Sequence, residues 1–175
     1  FQCRYNASAQ LVKKAVESGK LGKIISASSI LTWARPDSYY NESDWKGTWD
    51  KEGGGVVIDQ AIHSIDLVHW IVNSKVKDLI CSMANRGHSF VKVEDTAEGL
   101  ITYKNKVKYA FYCMNNYGYD EPIEIKLKVL ELPRVDDISR SDKYSYTFLY
   151  DTFGSHFTVN KSKKDGETVT VNCSA

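Results

Sequence analysis

Gly53, Gly54 and Gly55 open the run GGGVVIDQAIHSIDLVHW, which ends at Trp70 and constrains this chain more than any other stretch. The apolar residues Val57, Ile58, Ala61, Ile62, Ile65, Val68 and Val72 recur at helical spacing, which predicts a helix buried on most sides. Asp59, His63 and Asp66 fall at i, i+4 and i+7, so two carboxylates and an imidazole share one narrow stripe. Burying such groups without partners costs on the order of a few kcal/mol each. The stripe is therefore expected to face a cleft or a hydrogen-bonded network.

One helical turn separates Asp59 from His63, a spacing that lets the carboxylate orient the imidazole and raise its proton affinity. A histidine held in this way is a good general acid/base near neutral pH. The same spacing also fits a structural polar pair on a buried helix. Asp59, His63 and Asp66 could offer ligands to a metal, but the helical pattern H-E-x-x-H is absent and no ligand from another element stands out, so no metal site is expected. The three glycines permit close backbone approach at a helix N-terminus, where amide donors and the dipole favour a phosphate or a carboxylate. They would equally make a tight turn with no ligand.

At 175 residues the chain is long enough for one domain with a sizeable core, or for one domain and a piece of another. With 23 Lys and Arg against 22 Asp and Glu and no basic cluster, nothing in the sequence asks for nucleic acid or an anionic membrane. Cys3, Cys81, Cys113 and Cys173 lie far apart, and neither a signal peptide nor a long apolar span is present. These features make a reduced, cytoplasmic protein the expectation. The opening FQCRYN, without an initiator Met, reads as the end of a strand running into a loop, and the protein is expected to continue upstream.

Before the central run, Leu11, Val12, Ala15 and Val16 form an apolar stripe over Ala7 to Ser18, with Asn6 or Ser8 as N-cap and Gly19 as the stop. Lys23 to Trp33 alternates, with Ile25, Ala27, Leu31 and Trp33 on one face, and predicts a strand. Arg35 to Glu52 breaks every period and carries Tyr39, Tyr40, Trp45 and Trp49, which suits a binding loop or rings covering a sheet end. After the central helix, strands are predicted at 75–84, 95–103, 106–114, 123–130, 144–150, 156–160 and 167–172, with Lys104 and Asn105 as a hairpin turn. Helices first and consecutive strands after imply an α+β domain: an open, mostly antiparallel β-sheet with helices packed on one face. The alternate row Tyr103, Tyr109, Phe111 and Cys113 is expected on the sheet's uncovered face, as a homo-oligomer contact.

Taken in order, FQCRYN, the W-A-R-P loop, W-K-G-T-W, G-G-G and D-Q-A-I-H-S-I-D-L resemble the C-terminal half of Gfo/Idh/MocA oxidoreductases, over roughly residues 1 to 130. The resemblance implies a glyceraldehyde-3-phosphate dehydrogenase-like C-terminal domain over 1–175 for substrate binding and oligomerisation. The N-terminal Rossmann domain that binds NAD or NADP would lie outside this chain. It further implies that Asp59 and His63 are the catalytic pair and that Trp45 and Lys46 lie near the cofactor. Arg35, Gln60 and Tyr5 become candidates for contact with a sugar, nucleotide sugar or cyclitol. Three departures stand beside it: the glycine fingerprint and the Glu-Lys-Pro segment are missing, Lys46 stands where Arg is commoner, and the match fades beyond about residue 131.

The activity implied is NAD(P)-dependent oxidation or reduction at a hydroxyl or carbonyl carbon, with the chain alone inactive because hydride chemistry belongs to the cofactor. The alternative is a non-catalytic sugar-binding or dimerisation module.

Overall fold

A computed structural model describes residues 1–19, 21–120 and 123–130 and the strands 143–150, 156–162 and 168–174, with side chains for 1–19, 21–120 and 123–128. A 3₁₀ turn, Gln2–Tyr5, leads into helix α1, Ala7–Glu17. Asn6 is its N-cap, accepting from the Ser8 amide at 3.1 Å, and Gly19 at φ 71° follows its end. Ala9 and Val12 turn inward, whereas Leu11, expected on the buried stripe, is 54 % exposed. Strand β1 covers Lys23–Thr32 and carries a bulge between Ile24 and Ser26. The extra residue shifts the alternation, so Ile24 rather than Ile25 joins Ala27 and Leu31 in the core.

The segment after β1 contains one short helix, α2, Asp37–Asn41. The glycine-led helix then forms in two parts, a π-helical turn at Val57–Ala61 followed by helix α3, Ile62–Val72, which Asn73 ends in the left-handed conformation at φ 48°. The remaining strands are β2 Val76–Ala84, β3 Thr96–Tyr103, β4 Lys108–Met114, β5 Ile123–Leu130, β6 Lys143–Tyr150, β7 His156–Ser162 and β8 Thr168–Ser174. Between β3 and β4, Lys106 rather than Asn105 takes the positive φ of the hairpin, while the Asn105 side chain accepts from the Val107 amide at 3.2 Å.

The described strands form one sheet in the order β2-β3-β4-β1-β5-β6-β7-β8. Only the β1–β4 pair among them is parallel. That parallel pair follows from the crossover that returns the chain from β1 through α3 before β4 is made. The helices lie on one face, α3 against β1 and β5 with α1 and the 3₁₀ turn beside it. Lys13, buried on α1, donates to the Trp70 carbonyl at 2.7 Å, setting a cation against the last turn of α3. Arg4 makes a bidentate ion pair with the buried Asp66.

Beneath the helices the cross-strand rows Leu127, Ala27, Tyr109, Ile101 and Ile123, Leu31, Cys113, Ala97 make the core with Leu67, Val68 and Ile71. Tyr103, Tyr109, Phe111 and Cys113 belong to this core, each at most 7 % exposed, so the expected interface row is on the wrong face. Alternation predicts which residues share a face but not which face the helices cover. The uncovered face instead carries Ile30, Ile80, Leu100, Ala110 and Tyr112, of which Ile30 and Ile80 are 44 % and 68 % exposed. Among the described residues no helix is long and apolar enough to cross a membrane.

Candidate functional site

At the head of the central helix the backbone comes too close to its neighbour for any side chain. A Cβ on Gly55 would sit 1.9 Å from the Glu94 carbonyl oxygen, and the Val56 amide donates to that same oxygen at 3.0 Å. Glu94 also turns its carboxylate onto the helix start, where Oε1 accepts from Gly55 at 2.9 Å and Val57 at 3.2 Å. The anion expected at the glycines is thus the chain's own Glu94, buried just before β3. Of the two readings open for the glycines, an anion site or a tight turn without a ligand, the Glu94 contact fits the second.

The members of the predicted stripe bond to different partners. Asp59 lies in the π turn and His63 in the α-helix that follows, and no hydrogen bond joins them. Asp59 Oδ2 accepts instead from the Tyr39 hydroxyl at 2.8 Å and from Gln60 Nε2 at 3.0 Å. Asp66, the third member, is taken up by Arg4 in the ion pair that anchors the chain start. Among the described residues no group of three His, Cys, Asp or Glu side chains is arranged to hold a metal ion.

Around Tyr39 the loop brings several sequence candidates together. Lys46 Nζ lies 3.7 Å from the Tyr39 ring centre and donates to the Tyr39 carbonyl at 3.2 Å, with the Trp45 ring 5.7 Å away. Arg35 stacks at 4.8 Å over Trp33 and 5.4 Å over Tyr39, and pairs with Asp120 at 3.3 Å. Burial, then the hydrogen bond to Asp59, pushes the Tyr39 hydroxyl up to about 12. Burial also raises Glu52, with further contributions from the nearby Asp59 and Glu94 charges. Arg35, Trp45, Lys46, Asp59 and Gln60 are therefore linked through one tyrosine. Tyr39 had no assigned role in the sequence reading, although its place in the aromatic run after W-A-R-P was its signal.

His63 occupies the next turn, partly exposed, with the Phe1 ring edge-on at 6.1 Å. Cys3, Ser64, Leu67, Ile123 and Ile125 line a small cavity with it. Among the described residues its Nδ1 has no hydrogen-bond partner, nor has Oε1 of the 3 % exposed Gln60. Tyr5 is 84 % exposed, and no hydrogen bond links it to the cluster.

A second network holds the loop to the sheet end. Asp95, fully buried, accepts from the amides of Arg86, Gly87 and His88, from the Thr96 hydroxyl and from the Asn116 amide. Burial alone would raise its carboxyl, but these donors outweigh it and hold the group below the usual carboxylate range. His88 spans from Asp95 at 3.2 Å to the Arg35 carbonyl at 2.7 Å, and Asn115 donates to the Tyr40 hydroxyl at 2.7 Å. Both ends of the Arg35–Tyr40 segment are thereby fixed.

Among curated proteins none matches this sequence. Solved structures do. The WlbA dehydrogenase from Bordetella pertussis, in complex with NADH and UDP-GlcNAcA, is 26% identical with a TM-score of 0.68 over 82% of this chain and 40% of that one. Levoglucosan dehydrogenase, in complex with NADH and L-sorbose, shares the fold at 17% identity and a TM-score of 0.73, over 99% of this chain and 46% of that one. An aldose-aldose oxidoreductase from Caulobacter crescentus, complexed with glycerol, does so at 13% identity and 0.70, over 98% and 46%. The chain thus spans less than half the length of each. The sequence model of the GFO/IDH/MocA C-terminal domain matches residues 9–129, and the chain belongs to that family.

Proposed function

We propose that residues 1–175 are the substrate-binding and oligomerisation domain of an NAD(P)-dependent oxidoreductase acting on a sugar, nucleotide sugar or cyclitol. The Rossmann domain would be supplied from outside this chain. The observation that supports a reactive site is the gathering of Arg35, Trp45, Lys46, Asp59 and Gln60 around Tyr39, at the head of the helix that also carries His63. Aromatic rings, two cations, a carboxylate and an amide converging at one helix start suit the binding of a polar, hydroxylated ligand.

In this reading His63 accepts the proton of a substrate hydroxyl during oxidation and returns it during reduction. Asp59 accepts a hydrogen bond from a neighbouring hydroxyl, and Gln60 and Arg35 contact further polar groups. Tyr5 is proposed only where substrate or the partner domain reaches the exposed chain start. The half-exposed Lys46 and the exposed Trp45 fit contact with a nicotinamide cofactor, Lys46 as a single point charge. The cofactor, when bound, accepts or donates the hydride. A cytoplasmic setting belongs to the same proposal.

The test is a screen of the full-length protein against sugars, nucleotide sugars and cyclitols with NAD and NADP, followed by absorbance of the reduced nicotinamide. Turnover with any of them supports the enzyme. Saturable sugar binding without turnover would move the protein to the non-catalytic alternative.

A further inference from the structure

We propose that Tyr39 is a positioning residue of this site, whose hydroxyl fixes the Asp59 carboxylate and leaves Oδ1 to accept from a substrate hydroxyl. The inference rests on the functional reading above and adds a residue to it. No hydrogen bond joins Asp59 to His63, so the carboxylate is held by other partners. Its Oδ2 receives the Tyr39 hydroxyl at 2.8 Å and Gln60 Nε2 at 3.0 Å, whereas among the described residues no hydrogen bond reaches Oδ1.

Tyr39 is in turn held from several sides. Lys46 lies on its ring at 3.7 Å and Arg35 at 5.4 Å, and Tyr40 meets it edge-on at 5.2 Å. Tyr40 is itself bonded to Asn115 and packs at 5.1 Å against His88. The hydroxyl therefore arrives at Asp59 from a loop tied to the sheet end, as a pre-organised group should. Its raised pKa, about 12, keeps it a donor throughout the working pH range. A phenylalanine would preserve the ring contacts and remove only the donor.

The test uses the full-length protein with a substrate found in the screen, and compares wild type, Tyr39→Phe, Asp59→Asn and the double variant. Tyr39→Phe is expected to lower kcat/KM roughly 10- to 100-fold at nearly unchanged melting temperature. In the Asp59→Asn background the same change should cost less than about twofold, because the group it acts through is already altered. Additive losses, or wild-type kcat/KM in Tyr39→Phe while Tyr39→Ala is impaired, would overturn the proposal and leave the ring as packing only. A readout independent of turnover is the ¹³Cζ resonance of Tyr39 in tyrosine-labelled protein, identified by its absence in Tyr39→Phe. Its displacement in Asp59→Asn supports the contact and an unmoved resonance overturns it, even for a protein that proves inactive on every sugar tried.

Discussion

His63 lies on the central helix beyond Asp59, partly exposed, and among the described residues its Nδ1 has no hydrogen-bond partner. The acid/base role proposed for it sets a definite expectation for its removal. His63→Ala in the full-length protein should therefore lower turnover by roughly 10²- to 10⁴-fold with a smaller change in substrate binding, while folding is retained. Rate per folded molecule is the measurement, and near-normal turnover would end the acid/base assignment. Asp95 is the opposite case, a buried carboxylate with every side supplied by donors. Its carboxyl is held below the ordinary value, so the stability it contributes is complete above the unfolded pKa of about 4 and is lost as pH falls through the folded one. Asp95→Asn should cost about 2–4 kcal/mol at neutral pH and flatten the acid limb of stability. Melting temperatures across the acid range would show it, and unchanged profiles would refute the assignment.

At the scale of elements, the glycine-led helix carries the most information and also the main surprise. Gly55→Ala would drive a methyl group to 1.9 Å from the Glu94 carbonyl, so either the helix start or the segment leading into β3 must move. A loss of more than about 3 kcal/mol is expected, read by denaturant unfolding. Gly53, whose added Cβ would meet nothing within 4 Å, is exposed at φ 86° and should cost much less, about 1 kcal/mol. The same contrast marks what the sequence could tell. Apolar spacing located α3, the strands and the loop because each of those patterns persists over many residues. A π turn spans only five, too few for periodicity to separate it from an α-helix, so the apolar spacing shows one helix where the structure has two parts. Nor could spacing find Tyr39 or Glu94, which meet the helix from 20 and 39 residues away along the chain. The bulge in β1 escaped for a related reason, since one inserted residue moves Ile24 inward without changing composition.

For the whole molecule, helices on one face leave the other face of the sheet to be explained. Ile80, Leu100 and Ala110 are aligned across β2, β3 and β4, with Tyr112 and Ile30 side by side in the next row. The Lys126–Glu124 pair borders this patch on β5, and the Arg86–Glu98 pair lies beside it. Apolar residues ringed by ion pairs are the composition of a contact surface rather than of a solvated one. A second copy of the chain is the occupant that such a self-complementary strip accommodates most simply, about a two-fold axis. The full-length protein is accordingly expected to sediment as a dimer or a larger even oligomer at micromolar concentration. Ile80→Glu places a charge on the most exposed of these residues without touching the core under α3, and should shift the distribution toward monomer with the melting temperature of the dissociated chain preserved. Wild-type protein that remains monomeric at high micromolar concentration, or an Ile80→Glu variant that associates as before, would show that this face is left to solvent.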